Sequence, residues 1–333
     1  MLKGLKIIDL FAGIGGIRIP FQEMNAECVF SSEIDKHACA TYQANFGEYP
    51  YGDITKIKAS DIPDHDILLA GFPCQAFSII GKMNGFEDTR GTLFFDIERI
   101  MRVKKPEAFL LENVKQLATH DGGRTFAVIL DTLRKLGYFV HWKVLNALDY
   151  GLPQKRERTI IVGFKNNYKF KFPSPLSCYK SLAEILEPDD SVDLSYFASE
   201  KIVDSRLKSI KIDPFYPSIW HENKGGNVSI RPYACALRAN ASYNYLLVNG
   251  KRRLTSRELL RLQGFPDDFK IIVSHAEIRK QAGNSVPVNM IRAVAQQMAV
   301  SLNSRVLEKD ALINCNQISM FELHERPEGV ING

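Results

Sequence analysis

Cys74 is the residue in this chain best placed to act as a nucleophile. It follows the short apolar run Asp66-Ile67-Leu68-Leu69-Ala70, which reads as a buried parallel strand. Pro73 fixes the backbone just ahead of the thiol. In open α/β sheets ligands bind beyond the carboxyl ends of the strands, so a thiol at that edge can attack a bound substrate. The alternative is a buried, inert cysteine, the usual fate of a free thiol. Ala108-Phe109-Leu110-Leu111 reads as a neighbouring strand and delivers Glu112 to the equivalent position, within reach of the same substrate. In Gln154-Lys155-Arg156-Glu157-Arg158, period-two spacing puts Arg156 and Arg158 on one strand face. Two planar forks there suit a phosphate or a base carbonyl, or else they form a salt-bridged surface pair.

The elements that must position these groups begin with a strand, Lys6 to Phe11, then the turn Ala12-Gly13-Ile14-Gly15-Gly16 and an apolar-periodic helix through Ile17, Phe21 and Met24. Pro20 has to lie in that helix's first turn. Strand, glycine turn and helix open a nucleotide-type βαβ unit, although the spacing G-x-G-G departs from G-x-G-x-x-G. A second strand, Cys28 to Ser32, ends at Glu33, twenty residues after Gly13, an offset at which a carboxylate can accept from ribose hydroxyls. Tyr51-Gly52-Asp53-Ile54 reads as a further strand end, with Asp53 suited to an adenine amino group. Either acid could instead be a surface group or a helix cap.

From Ile79 to Thr92, three glycines flank Lys82 and Arg90; the stretch reads as a lid over the thiol or as an ordinary surface loop. Helices follow from Leu93 to before Pro106 and from Thr125 to Leu136, and β-rich segments at Phe139–Leu145 and Thr159–Phe164. After Phe172-Pro173-Ser174-Pro175 the periodic α/β pattern stops. The region to about Lys280 reads as short strands and turns, including a hairpin from Tyr245 to Arg252 around Asn249-Gly250. Gln281 to Pro287 then caps a helix whose apolar positions Ile291, Val294, Ala295, Met298 and Leu302 must return to the first core. The chain is therefore expected to divide into a domain of residues 1–175 plus 281–303, a smaller domain of 176–280, and a polar tail, 304–333, with no assigned role.

Composition limits the function classes. With 333 residues, 45% hydrophobic and 24% charged, the chain fits a two-domain globular protein. No run of about 18 apolar residues and no signal-peptide order at the N-terminus lead to the expectation of a cytoplasmic protein without membrane attachment. Six cysteines include no C-x-x-C pair and no zinc spacing, so neither a disulfide framework nor a metal is expected. The net charge of +5 is mild, but Lys224 to Arg261 holds eight basic residues against one acid, Glu258. Such a stretch suits a polyanion or forms a solvated face. It is interleaved with Tyr233, Asn240, Tyr243, Asn244 and Tyr245, residues able to supply phosphate contacts and base-edge readout.

Taken in order, Asp9-Leu10-Phe11-Ala12-Gly13-Ile14-Gly15-Gly16, Glu33-Ile34-Asp35, Gly52-Asp53-Ile54, Pro73-Cys74-Gln75-Ala76-Phe77-Ser78, Glu112-Asn113-Val114, Gln154-Lys155-Arg156-Glu157-Arg158, Arg257-Glu258 with Gln263-Gly264-Phe265-Pro266, and Gly283-Asn284-Ser285-Val286 resemble the sequential motifs of the DNA (cytosine-5)-methyltransferases. The bacterial modification enzymes of restriction–modification systems look most similar. The resemblance runs from about residue 5 to 303.

The resemblance implies a Rossmann-like α/β domain that binds S-adenosyl-L-methionine, with a smaller, mainly β and irregular target-recognition domain inserted before the last motif. It implies that Cys74 adds to C6 of a cytosine flipped out of duplex DNA so that C5 can take the donor's methyl group. Glu112 would protonate or hydrogen-bond N3, Arg158 would contact O2, and Arg156 would support the thiol and a nearby phosphate. Phe11, Ala12, Gly13, Ile14, Gly15, Glu33, Ile34, Asp53, Ile54, Pro73, Leu93, Asn284 and Ser285 are the implied cofactor shell. DNA contacts are expected from Ser78, Ile80, Lys82, Arg90, Arg231, Arg238, Asn240, Tyr243, Arg252 and Arg253, with Ile80 wedging into the gap left by the base. The expected protein is a monomer, with a restriction endonuclease of the same site as a possible partner. The competing expectations are a tRNA cytosine-5 methyltransferase and a catalytically silent DNA-binding subunit, against which the intact Cys74, Glu112 and Arg158 argue.

Overall fold

The computed structural model of the chain describes residues 1–73 and 93–304. Its frame is a six-stranded sheet in the order β2-β1-β3-β4-β7-β5. Strands β1 (Lys6–Leu10), β2 (Glu27–Ser32), β3 (Ile67–Gly71) and β4 (Ala108–Val114) run parallel, so their carboxyl ends share one edge. Beyond them β5 (Phe139–Asn146) and β7 (Glu157–Phe164) pair with each other antiparallel, and β7 is antiparallel to β4. The continuous apolar sequence of the central strands has a physical reason, because helices cover both faces. Helices α3 (Leu93–Lys104) and α4 (Arg124–Lys135) bury Phe94, Ile97, Phe126 and Ile129 against one face. Helices α1 (Arg18–Glu23) and α8 (Val288–Leu302) bury Phe21, Ile291, Val294 and Met298 against the other. The terminal helix thus returns to the first core, as its periodicity requires, and Pro20 lies in the first turn of α1.

The loop between β1 and α1 and the loop after β2 meet at the sheet's carboxyl edge. There α2 (Lys36–Phe46) starts at Asp35, whose side chain accepts from the amides of His37 and Ala38.

Residues 176–280 contain a three-stranded antiparallel sheet in the order β11-β8-β9, from β8 (Ile219–Glu222), β9 (Val228–Arg231) and β11 (Leu246–Val248); β11 pairs with β8, and of the expected hairpin only the single bridge Val248–Arg252 forms across the turn. The Asn249-Gly250 turn has positive φ at both residues, 53° and 72°, the backbone a tight hairpin turn demands. A two-residue ladder joins β6 (Gln154–Lys155) to β10 (Ala234–Cys235). The region is more helical than its turn-rich sequence suggests, with α5 (Glu200–Ser209), α6 (Ser256–Leu262) and α7 (His275–Asn284). Helix α6 opens on a reciprocal cap between Thr255 and Glu258, a signal the basic residues around it obscure. Its core is continuous with the glycine turn, since Ile14, Ile19 and Ala38 pack with Leu254, Leu259, Leu260 and Phe265. No helix among the described residues is long and apolar enough to cross a membrane.

Candidate active site

A cavity of ≈ 540 Å³ opens at the carboxyl edge of the parallel strands, within the size range of small-molecule sites. At one end lie Phe11, Ala12, Gly13 and Ile14 of the glycine turn with Glu33 and Ile34 after β2. At the other lie Pro73, Leu93, Glu112, Arg156 and Arg158, and Asn240, Asn284 and Ser285 also line the cavity.

The glycine turn is held from below by Glu33, whose Oε2 accepts from the Gly13 amide at 2.8 Å while Oε1 accepts from the amides of Ile34 and Asp35, each at 2.8 Å. A carboxylate has about four lone-pair positions, so Oε2 keeps one for a ligand. Phe11 takes a φ of 55°, a backbone conformation seldom adopted outside functional turns. Gly16 admits no side chain because a Cβ there would sit 2.7 Å from Ser285 Oγ, which brings the turn before α8 directly against the glycine turn. Ile34 is 72% exposed on the rim, an unpaired apolar surface facing the cavity. Lys280 crosses the same rim to pair with Asp35.

At the other end, Gly71 of β3 lies in register with Glu112 of β4, and a Cβ on Gly71 would stand 3.5 Å from Glu112 Oε2. The chain leaving β3 toward Cys74 therefore starts beside this carboxyl group. Burial pushes the Glu112 pKa above the usual carboxylate range, while Arg158 and Arg156 oppose that rise. Arg158 Nε approaches Glu112 Oε1 to 2.8 Å. Asn113, 2% exposed, donates from Nδ2 to the Phe72 carbonyl at 2.8 Å, pinning the segment two residues ahead of Cys74. Its role was not legible beyond its place in Glu112-Asn113-Val114, and no sequence signal marks Lys280 as a rim residue.

Cys74, Ser78, Ile80, Lys82 and Arg90 lie outside the described residues. The remaining expected residues stand at different places in the fold. Gly15, Asp53 and Ile54 are not among the residues that line this cavity. Gly15 abuts the Phe46 ring, Ile54 is 2% exposed in the core beneath α3, and Asp53 caps a short turn by accepting from the amide and hydroxyl of Thr55 at 3.0 and 2.7 Å. Arg156 lies between β6 and β7 and lines the same cavity as Arg158, but its fork is already engaged. Its guanidinium is 1% exposed and donates to three main-chain carbonyls, so it presents no free fork to a phosphate.

Arg252 is likewise buried, 1% exposed. It forms a bidentate pair with Glu258, both distances 2.9 Å, and a third bond to Asp189 at 2.6 Å. It braces the fold and cannot reach a groove. Arg253 is half-buried and donates to Asn244 Oδ1 at 3.1 Å and to the Ser195 and Phe197 carbonyls. Arg231, Arg238, Asn240 and Tyr243 are exposed. The Tyr243 ring lies between Arg253 and Arg279, 4.9 and 4.0 Å from its centre, which adds Arg279 to the surface cations the sequence singled out. Among the described residues no cluster of three or more His, Cys, Asp or Glu side chains could hold a metal ion.

Residues 5–299 match the family model described as C-5 cytosine-specific DNA methylase. The chain is 62% identical over 302 residues to the type II methyltransferase M.HaeII of Haemophilus aegyptius, covering 91% of this chain and 95% of that protein. It is 60% identical over 304 residues to M.NgoBI of Neisseria gonorrhoeae, covering 91% and 96%, and 46% identical over 315 residues to M.HhaI of Haemophilus parahaemolyticus, with the same shares. Among solved structures, the Entamoeba histolytica methyltransferase EhMeth shares the fold at a TM-score of 0.71 and 18% identity, covering 91% of this chain and 100% of that one. Spodoptera frugiperda DNMT2 does so at 0.70 and 20%, covering 89% and 100%.

Proposed function

Because the chain belongs to the C-5 cytosine-specific DNA methylase family, and so transfers methyl groups to C5 of cytosine in DNA, we propose that its methyl donor is S-adenosyl-L-methionine and that Cys74, Glu112 and Arg158 carry the reaction. The observation that bears most weight is Glu112, buried and paired with Arg158 at the end of a cavity whose opposite end is a glycine turn braced by Glu33.

The cavity's other end fits the donor. Glu33 keeps an acceptor for ribose hydroxyls, Ile34 offers an apolar face to a purine, and the side-chain-free turn admits a close backbone approach. When bound there, the donor supplies an electrophilic methyl group.

Cytosine C5 is too weak a nucleophile to take that methyl unaided. The Cys74 thiolate adds to C6, and the electrons displaced toward N3 are received by the Glu112 proton or hydrogen bond. Arg158 donates to O2, where negative charge also develops. C5 then carries the nucleophilic pair. After methyl transfer, loss of the C5 proton expels the thiol and restores the ring; water is the proposed base. The target base must leave the duplex stack, at a cost of a few kcal/mol, and Ile80 is the proposed wedge into the gap. Arg231, Arg238, Asn240 and Tyr243 are the proposed recognition surface.

In the cell the protein is proposed to act as a monomeric modification enzyme, protecting a site that a paired endonuclease cuts. Bisulfite sequencing of DNA from cells expressing it tests this reading. One short sequence context methylated at C5 supports it, whereas unmodified DNA with methylated tRNA would reassign the substrate.

A further inference from the structure

Arg156 is buried, yet no carboxylate lies within ion-pairing distance of it among the described residues. Its Nη1 donates to the Leu237 carbonyl at 2.7 Å, and its Nη2 to the carbonyls of Gly283 and Ser285 at 2.9 and 2.6 Å. Desolvating a guanidinium is expensive, and the last carbonyls of α7 offset part of that cost because the helix's negative end faces the cation. The fork therefore joins two pieces of chain far apart in sequence, the 237–240 loop and the 283–285 turn.

Four further contacts tie the same pieces. Gly283 packs main chain against main chain, since a Cβ there would fall 2.2 Å from the Ala239 amide nitrogen. Gln154 accepts from the Leu237 amide at 3.0 Å and donates to Gln263 Oε1 at 3.1 Å. Gln263 in turn donates to the carbonyl of Ala282. What each piece carries gives the knot its meaning. The loop presents exposed Arg238 and Asn240, and the turn presents Asn284 and Ser285 to the cavity, with Ser285 against the glycine turn.

We propose that Arg156 is a positioning residue that locks the DNA-facing loop to the donor-facing turn, so that DNA and methyl donor bind with positive linkage. This rests on the proposed function. A duplex that orders Arg238 and Asn240 also fixes Leu237, and through the fork it fixes the turn that the donor needs. Such coupling is reciprocal by thermodynamic necessity. Lysine cannot replace the fork, because one ammonium cannot span carbonyls on two separate segments in planar geometry.

The test measures the dissociation constant of S-adenosyl-L-homocysteine with and without a saturating duplex carrying the sequence mapped by bisulfite conversion, and that of the duplex with and without the nucleoside. The full chain should show one ratio from both directions, at least about fivefold, and Arg156→Lys should bring it toward one. If Arg156→Lys does not fold, Gln154→Met, which removes the second grip on Leu237, should lower the ratio instead. A ratio of one in the native chain would overturn the proposal. So would an unchanged ratio in the variant, whether accompanied by a lower melting temperature or by a fall in kcat. A native chain that methylates DNA without linkage defeats this inference alone; one that methylates no DNA defeats the proposed function.

Discussion

Arg158 Nε sits 2.8 Å from Glu112 Oε1, with only 13% and 9% of the two side chains exposed. The pair sets opposing forces on one proton. Burial drives Glu112 toward its neutral form and the arginines draw it back, with burial prevailing. A carboxyl group in that balance can lend a proton to a ring nitrogen and recover it.

Glu112→Gln keeps the shape and a hydrogen-bond donor but cannot deliver a proton. Single-turnover methyl incorporation should fall by roughly 10²–10⁴-fold. A loss under tenfold would remove Glu112 from the chemistry.

Arg158→Met removes the charge that favours ionised Glu112, so the Glu112 pKa rises further. If methylation needs the proton, its rate falls as pH climbs through that pKa, and this alkaline limb should move to higher pH in the variant while the maximum drops. A limb that stays put or moves down contradicts the assignment.

Ile34 is exposed in the free protein, so Ile34→Asn should leave the melting temperature unchanged. Covering an isoleucine contributes about 1.5–3 kcal/mol, so the dissociation constant of S-adenosyl-L-homocysteine should rise by roughly tenfold or more. Calorimetric titration reads it; unchanged affinity would take Ile34 out of the donor site.

Asp9, in β1, is 1% exposed, and burial raises its pKa from 3.8 to about 8 against the opposing influence of Arg18 and Tyr42. The folded state then holds a proton the unfolded state has released. Stability from this group is fully present below about pH 4 and is lost as pH rises through about 8, at a slope of at most about 1.4 kcal/mol per pH unit. Asp9→Asn should flatten urea-denaturation stability between pH 5 and 8 relative to the native chain. Equal slopes would show that Asp9 is ionised in the fold.

The strands and the delivery of Glu112 to a strand's end were legible because apolar runs fix the sheet and the sheet fixes where each run ends, whereas its ion pair with Arg158 was not. Charge bookkeeping was less transferable. Glu258, counted as one acid among eight cations, is buried against Arg252, and Asp189, 63 residues upstream, completes the cage. No local count distinguishes that arginine from a free one. Arg156 misled for a different reason: period-two spacing brings it to the cavity with Arg158 but cannot show that carbonyls 81 to 129 residues away occupy its fork. Ile54 and Asp53 show that a motif match fixes neighbourhood but not which atoms face the cavity.

The covalent step is tested most directly with duplex DNA containing 5-fluorocytosine at the mapped site, incubated with the protein and S-adenosyl-L-methionine and then boiled in detergent. Fluorine at C5 cannot leave as a proton, so a protein–DNA adduct should persist, and Cys74→Ser should give none. Absence of the adduct from a chain that methylates ordinary DNA, or its survival in Cys74→Ser, would contradict a Cys74 linkage to the pyrimidine.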